Sequence, residues 1–356
     1  MSLHAIDDIG DAIDATKSFL LPFAARTWLK LAVVVFFIGG GGGGGGLQNA
    51  GNFGGQDQPT GGGFDQPITD GAGPTNLDAF LAEFGPELLL IGGLVVLLVL
   101  VFGLLSNFME FVFVESLVSR EVHVRQYLRE NVGNGLRLFV FRLAVALVSI
   151  VLVVGFLYTA FVTVFGGSLD NVTPGALFGI LPLAIAFFLV IGVFQGLVTG
   201  FTTVFVVPMM LTSDRGLLGS WKRLLGSMRR NVKQYLAYLG FSIVLAIGVG
   251  IIGAVLGVIV TLLLAIPFVL LGAVVFFGLG GGTAALVLVG VIAVLFAIAL
   301  LLVTNLIQVP LQAFLRYYAM LVLGDIDEPL DPLPAVRADI RADEPDGTDP
   351  AAADGI

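Results

Sequence analysis

The sequence predicts an all-α integral membrane protein: a six-helix transmembrane bundle with amphipathic interfacial helices on the cytoplasmic side. Three observations carry that prediction. The chain is apolar overall, with mean hydropathy +1.01, 57% hydrophobic and only 12% charged residues, where an ordinary soluble domain carries about 25% charged residues. Two long stretches, 171–213 and 234–315, contain no Asp, Glu, Lys or Arg. When the chain is threaded as six spans, all 17 Lys and Arg fall on one side, and the positive-inside rule makes that side cytoplasmic.

A bilayer-crossing helix needs about 20 mostly apolar residues. The apolar runs are continuous, with no period of two, which selects helices over a barrel. Residues 1–26 read as an N-terminal interfacial helix, with Ile6, Ile9 and Ile13 on one face and Asp7, Asp8, Asp11 and Asp14 elsewhere. An acidic start is unlike a secretory signal, so the first span, 27–46, is expected to remain in the mature chain. Residues 47–86 follow the glycine run 39–46 and are rich in Gly, Gln, Asn, Asp and Pro, the composition of a flexible extracellular loop.

The bundle core occupies 87–323, with spans at 87–114, 137–165, 177–211, 235–265 and 284–320. The segment 266–280, which holds Pro267 and enters the Gly278–Thr283 stretch, reads as a connecting or re-entrant piece. Residues 324–356 hold ten acids and two arginines, too few apolar groups to bury a core, and read as a disordered cytoplasmic tail. The outer loops 47–86, 166–176 and 266–283 carry no cation. The chain is therefore expected in the cell membrane, multi-pass, with both termini cytoplasmic. The acidic balance, with pI near 4.6, fits a halophilic source, because acidic side chains keep a surface hydrated and soluble.

Amphipathic stretches precede spans one, three and five. The clearest holds Leu217, Leu218, Trp221, Leu224, Leu225, Met228, Val232 and Tyr235 at helical spacing. Lys222, Arg223, Arg229, Arg230 and Lys233 decorate the rest. A basic amphipathic helix beside a span lies in the interface plane, so these five cations are candidate contacts for anionic lipid headgroups.

Amphipathic helix, rising span and descending span recur three times, over about 3–119, 120–211 and 214–322. Phe205-Val206-Val207-Pro208 matches Ile307-Gln308-Val309-Pro310 in position, and Phe111-Val112-Phe113-Val114 stands at the equivalent place. That order of elements suggests a threefold arrangement of helical hairpins. The stretch Gly219-Ser220-Trp221-Lys222-Arg223-Leu224-Leu225 followed by Asn231-Val232-Lys233-Gln234-Tyr235-Leu236 resembles an element of uncharacterised polytopic membrane families of the halophilic archaeal type. It is also loosely similar to the membrane domain attached to glycerophosphodiester phosphodiesterases. The resemblance implies a fold and a location, and it carries over no catalytic residue.

Several chemistries are excluded or unsupported. The chain has no Cys and only two His, His4 and His123, which removes thiolate chemistry and any metal site built on Cys or several His. Walker, His-Glu-x-x-His and Gly-x-Ser-x-Gly motifs are absent. No cofactor is expected, and the acidic balance argues against nucleic acid as a partner.

The remaining candidates are polar groups within spans, because a charge in lipid is by default a functional feature. Asn107, Glu110 and Glu115 lie near the inner end of span two. Span four carries Gln195 with Thr199, Thr202 and Thr203, and span six carries Asn305 and Gln308 on one face. The expectation is a non-enzymatic polytopic protein that organises membrane or binds partners. The alternative is a transporter of a small solute or ion through a path lined by spans two, four and six.

Overall fold

The computed structural model describes residues 4–40, 77–168, 173–213 and 216–342, and among these there is helix and no strand. The helices are α1 (His4–Leu20), α2 (Ala25–Gly40), α3 (Leu77–Ser119), α4 (Val124–Glu130), α5 (Val132–Val164), α6 (Pro174–Phe201), α7 (Val207–Thr212), α8 (Leu217–Arg230), α9 (Val232–Gly278), α10 (Thr283–Ile326) and α11 (Pro334–Ala342). A π-helical turn, Thr202–Val206, joins α6 to α7, and a 3₁₀ turn, Glu328–Leu330, precedes α11.

Local chemistry marks several ends. Thr173 caps α6 by accepting a bond from the Ala176 N–H, and Pro174 opens the helix where its missing N–H costs nothing. Asn131 and Asn231 break the chain at matching corners, with φ near −104° and −122°, between α4 and α5 and between α8 and α9. The second and third repeat units thus share one corner.

Five helical segments among the described residues are long and apolar enough to cross a membrane: Leu89–Ser119, Val132–Val164, Pro174–Thr212, Val232–Gly278 and Thr283–Ile326. The expected first span, 27–46, is described only in part. Helix α2 covers 16 described residues, about 24 Å at 1.5 Å per residue, short of a hydrocarbon layer of about 30 Å. Residues 41–46 of that span, and 47–76 of the expected loop, lie outside the described residues.

Three further boundaries are corrected. Residues 77–86 belong to the first turns of α3. The segment 266–280 contains no re-entrant piece: α9 runs through Pro267 to Gly278, since a membrane helix tolerates a proline although it removes one backbone bond. Its turn is confined to Leu279–Gly282, where Gly280 and Gly281 adopt φ of +69° and +72°, a conformation glycine takes without strain. The expected disordered tail is ordered from 324 to 342, because Leu330, Leu333 and Val336 are buried against the bundle.

The packed core lies at the basic end. Phe111–Val114 of α3, Phe205–Val207 of the π turn and α7, and Val309 of α10 are all at most 1% exposed, so the three matched repeat motifs meet there. Tyr317 through Leu323 complete it. Helix α1 packs on α10, with Ala12 and Ala15 fully buried and Phe19 edge-on to Tyr317. Away from this end the helices separate, and long runs such as Val148–Val154 and Ile243–Leu271 present exposed apolar side chains.

Leu333 is 1% exposed. Leu333→Ala is expected to cost about 2–5 kcal/mol, read as a lower thermal midpoint of the detergent-solubilised protein. A C-terminal segment without structure would leave the midpoint unchanged.

Candidate functional site: an ionic lock and a C-terminal clasp

The site begins with a missing hydrogen. In the π turn the Val207 N–H reaches back five residues to the Thr202 carbonyl. In the same register the next donor, for the Thr203 carbonyl, would be residue 208, and Pro208 has no N–H. The guanidinium of Arg316 takes that place, its Nη1 donating to the Thr203 carbonyl at 2.5 Å. Its Nη2 donates to Glu110 Oε1 in an ion pair. Arg142 adds a second fork, from Nη1 to Asn107 Oδ1 at 2.8 Å and from Nη2 to Thr203 Oγ1 at 2.5 Å. Asn107 in turn donates to the Gly103 carbonyl at 2.6 Å.

Four segments, α3, α5, the π turn and α10, are therefore fastened through one threonine. Arg316, Glu110, Thr203 and Asn107 are 0%, 2%, 3% and 4% exposed. The Nε atoms of both arginines are buried without a partner among the described residues, so two cations share one carboxylate here. π turns occur preferentially at functional positions, and this one supplies both Thr203 acceptors.

Of the residues singled out from sequence, Asn107 and Glu110 meet in this lock. Glu115 sits apart, accepting from Asn131 Nδ2 at 2.5 Å and tying α3 to the α4–α5 corner. Asn305 folds back onto its own helix at the Leu301 carbonyl, 2.7 Å away. Gln308 faces α9 beside Gly253, where an added Cβ would touch Leu311 and Gln308. Gln195 is half-buried, and its carbonyl accepts the Thr199 hydroxyl at 2.7 Å. Sequence reasoning missed Arg316 and Arg142 as site residues, because charge counting assigned them to cytoplasmic flanks. The signal available was Pro208, whose carbonyl partner needed a donor from elsewhere. Gly135 was also missed: a Cβ there would collide with the Phe108 ring.

The headgroup candidates divide in two. Arg223 donates to the Pro329 carbonyl at 2.9 Å and Arg230 to Asp327 at 2.7 Å, so both hold the C-terminal segment. Lys222, Arg229 and Lys233 are exposed.

That C-terminal segment closes a second charged cluster. Arg337 pairs with Asp325 and donates to the Leu321 carbonyl at 2.7 Å. Arg341 reaches Asp325 at 2.8 Å, Asp11 at 3.0 Å and Asp8 at 3.4 Å, which joins α11 to α1 and the end of α10. Gly324 is required for this approach, because a Cβ would strike Arg337 and Asp331. A cleft of about 630 Å³ beside it is lined by Asp325, Glu328, Asp331, Arg337 and Arg341 among others. Burial first, and then the neighbouring Asp325 carboxyl, raises the Asp8 carboxyl to about 8. Burial likewise raises Asp331, against the pull of Arg337, while bonding to Asp325 raises Arg341 above its ordinary value.

The chain belongs to a family of unknown function, DUF7544. The family model matches residues 3–333, so it covers the bundle, the lock and the start of the clasp. Neither a curated protein nor a solved structure matches the chain. The family match agrees with an uncharacterised polytopic protein and adds no relation to phosphodiesterase-linked membrane domains.

Two outcomes test the clusters. Glu110→Gln leaves buried Arg316 without its carboxylate and is expected to cost about 3–5 kcal/mol. Replacing both partners, Glu110→Leu with Arg316→Met, is expected to recover much of that loss in thermal unfolding. Equal losses in the single and double variants would mean that the charges do not hold the helices.

For Asp8 the folded state keeps a proton that the unfolded chain, titrating near 3.8, has lost. Its stabilising contribution is complete below about 3.8 and is lost as pH rises towards 8. Asp8→Asn, relative to the unmodified protein, is expected to be more favourable at pH 9 than at pH 6 in thermal midpoints. An equal effect at both pH values contradicts this account.

Proposed function

We propose that the chain is a non-catalytic, multi-pass protein of the cell membrane that offers its basic end, on the cytoplasmic side, as a platform for lipids or protein partners. The carrying observation is the closure of the lock. The ionisable groups of α3 and α10 nearest the core, Glu110 and Arg316, are consumed in one pair that is at most 2% exposed. Groups tied this tightly serve to fix helices and are poorly suited to bind and release a solute in turn.

The clustering of described cations at one end supports a cytoplasmic orientation. Helices α4, α8 and α11, which carry many of them, pack on the core through Tyr127, Leu224 and Val336, while the α9–α10 turn at the opposite end carries none. The competing reading, a path for a small solute or ion along spans two, four and six, would require Glu110 to become accessible to water during a cycle.

Two measurements test the proposal. The chain has no native cysteine, so single cysteines at Glu121 and Leu279, both exposed, can be labelled with an impermeant reagent. Labelling of Leu279→Cys but not Glu121→Cys is expected in intact cells, and the reverse would invert the topology. Purified protein in sealed vesicles is expected to give no proton or cation flux above that of empty vesicles. Flux abolished by Glu110→Gln would replace the platform with a transporter.

A further inference from the structure

We infer that the outward face of α8, continued into the first turn of α9, is a docking surface for anionic phospholipid headgroups, gripped by Lys222, Arg229 and Lys233. The inference rests on the reading that the basic end lies at the membrane surface, and it names the partner of that surface.

The inner face of α8 is taken up by the bundle. Leu217, Ser220, Leu224 and Ser227 are buried against the bundle, with Ser227 accepting the Tyr235 hydroxyl. Trp221 packs against the core and lies near the Phe141 ring. Arg223 and Arg230 are bonded to the C-terminal segment.

The opposite face carries Leu218, Lys222, Leu225 and Arg229, at steps of four, three and four, which align on one side of a helix. Leu218 and Leu225 are 75% and 45% exposed. Beyond the Asn231 corner, Val232, Lys233 and Leu236 are exposed as well. The exposed apolar surface then continues along α9 through Ile243, Val244 and Ile247 into the span.

Apolar groups continuous with a lipid-facing span, with cations set between them, match the two layers of a phospholipid: acyl chain beside leucine, phosphate beside ammonium or guanidinium. A soluble acidic protein would match the cations and leave Leu218 and Leu225 without apolar partners. Charge complementarity with apolar continuity therefore selects the anionic lipid surface.

The experiment uses the full chain in nanodiscs or mixed micelles. Phosphatidylglycerol is compared with phosphatidylcholine, and inorganic phosphate and glycerol phosphate are added separately. Anionic lipid is expected to raise the thermal midpoint over the zwitterionic lipid, by an amount that shrinks with added salt. Lys222→Gln, Arg229→Gln and Lys233→Gln are expected to weaken the apparent affinity for anionic lipid about fivefold each. These residues are exposed, so the variants should fold. The control pair Arg223→Gln with Arg230→Gln should keep the lipid preference.

A triple variant that retains the full preference, or an equal shift from inorganic phosphate alone, overturns the inference. Neither result bears on solute flux, and flux through vesicles would overturn the platform reading without touching the lipid preference.

Discussion

The pairing of Arg316 with Glu110 across the Thr203 carbonyl is the constraint on which the basic end depends. In lipid, apolar surface gives little reason for one helix to choose another, since the tails are as apolar as leucine. Selection must come from close packing and from polar groups that have no other partner. Arg316 is such a group, because a fully buried guanidinium demands both a counter-charge and acceptors. It finds them on two different helical segments, and in doing so it fixes the register of α10 against α3 and against the π turn.

The π turn and Pro208 make the lock possible. A regular helix would leave no carbonyl there for Arg316, and a proline within it would leave one carbonyl bare. Together they aim one acceptor and one hydroxyl of Thr203 at two arginines. The neighbouring aromatics extend the same contact, with Phe205 against Tyr238 at 4.9 Å and Tyr238 stacked on Tyr318 at 5.9 Å. The clasp at the far end of α10 repeats the principle outside the span. Arg337 holds α11 onto the end of α10 and Arg341 ties it to α1 as well, and an acidic segment becomes part of the fold because its carboxylates have cations to meet.

One end of the molecule is thus dense and charged, and the other is loose and apolar. The split suits a protein whose apolar halves are solvated by lipid and whose basic end must be specified residue by residue. It also explains the two faces of α8. The inner face serves the bundle and the C-terminal segment, and the outer face presents Lys222 and Arg229 among exposed leucines.

Much of this was legible in the sequence, and for a physical reason. Hydropathy and the one-sidedness of the cations report transfer free energies that each residue carries on its own, so they announced a helical membrane protein and the end that gathers charge. The repeat motifs ending near Val114, Pro208 and Pro310 pointed to the segments that became the core, because each closes a descending span at the same depth. Glu110 stood out because a carboxylate in an apolar run is costly wherever it sits.

What the sequence left open depends on partners distant along the chain. Arg316 read as a flanking cation until α10 was seen to carry it inward to Glu110, some two hundred positions earlier. Residues 324–342 read as part of a disordered tail because many acids and few apolar groups promise no core. Only the tertiary structure brings Arg337, Arg341 and the buried Leu333 against them, and an ion pair between remote segments leaves no local pattern to read.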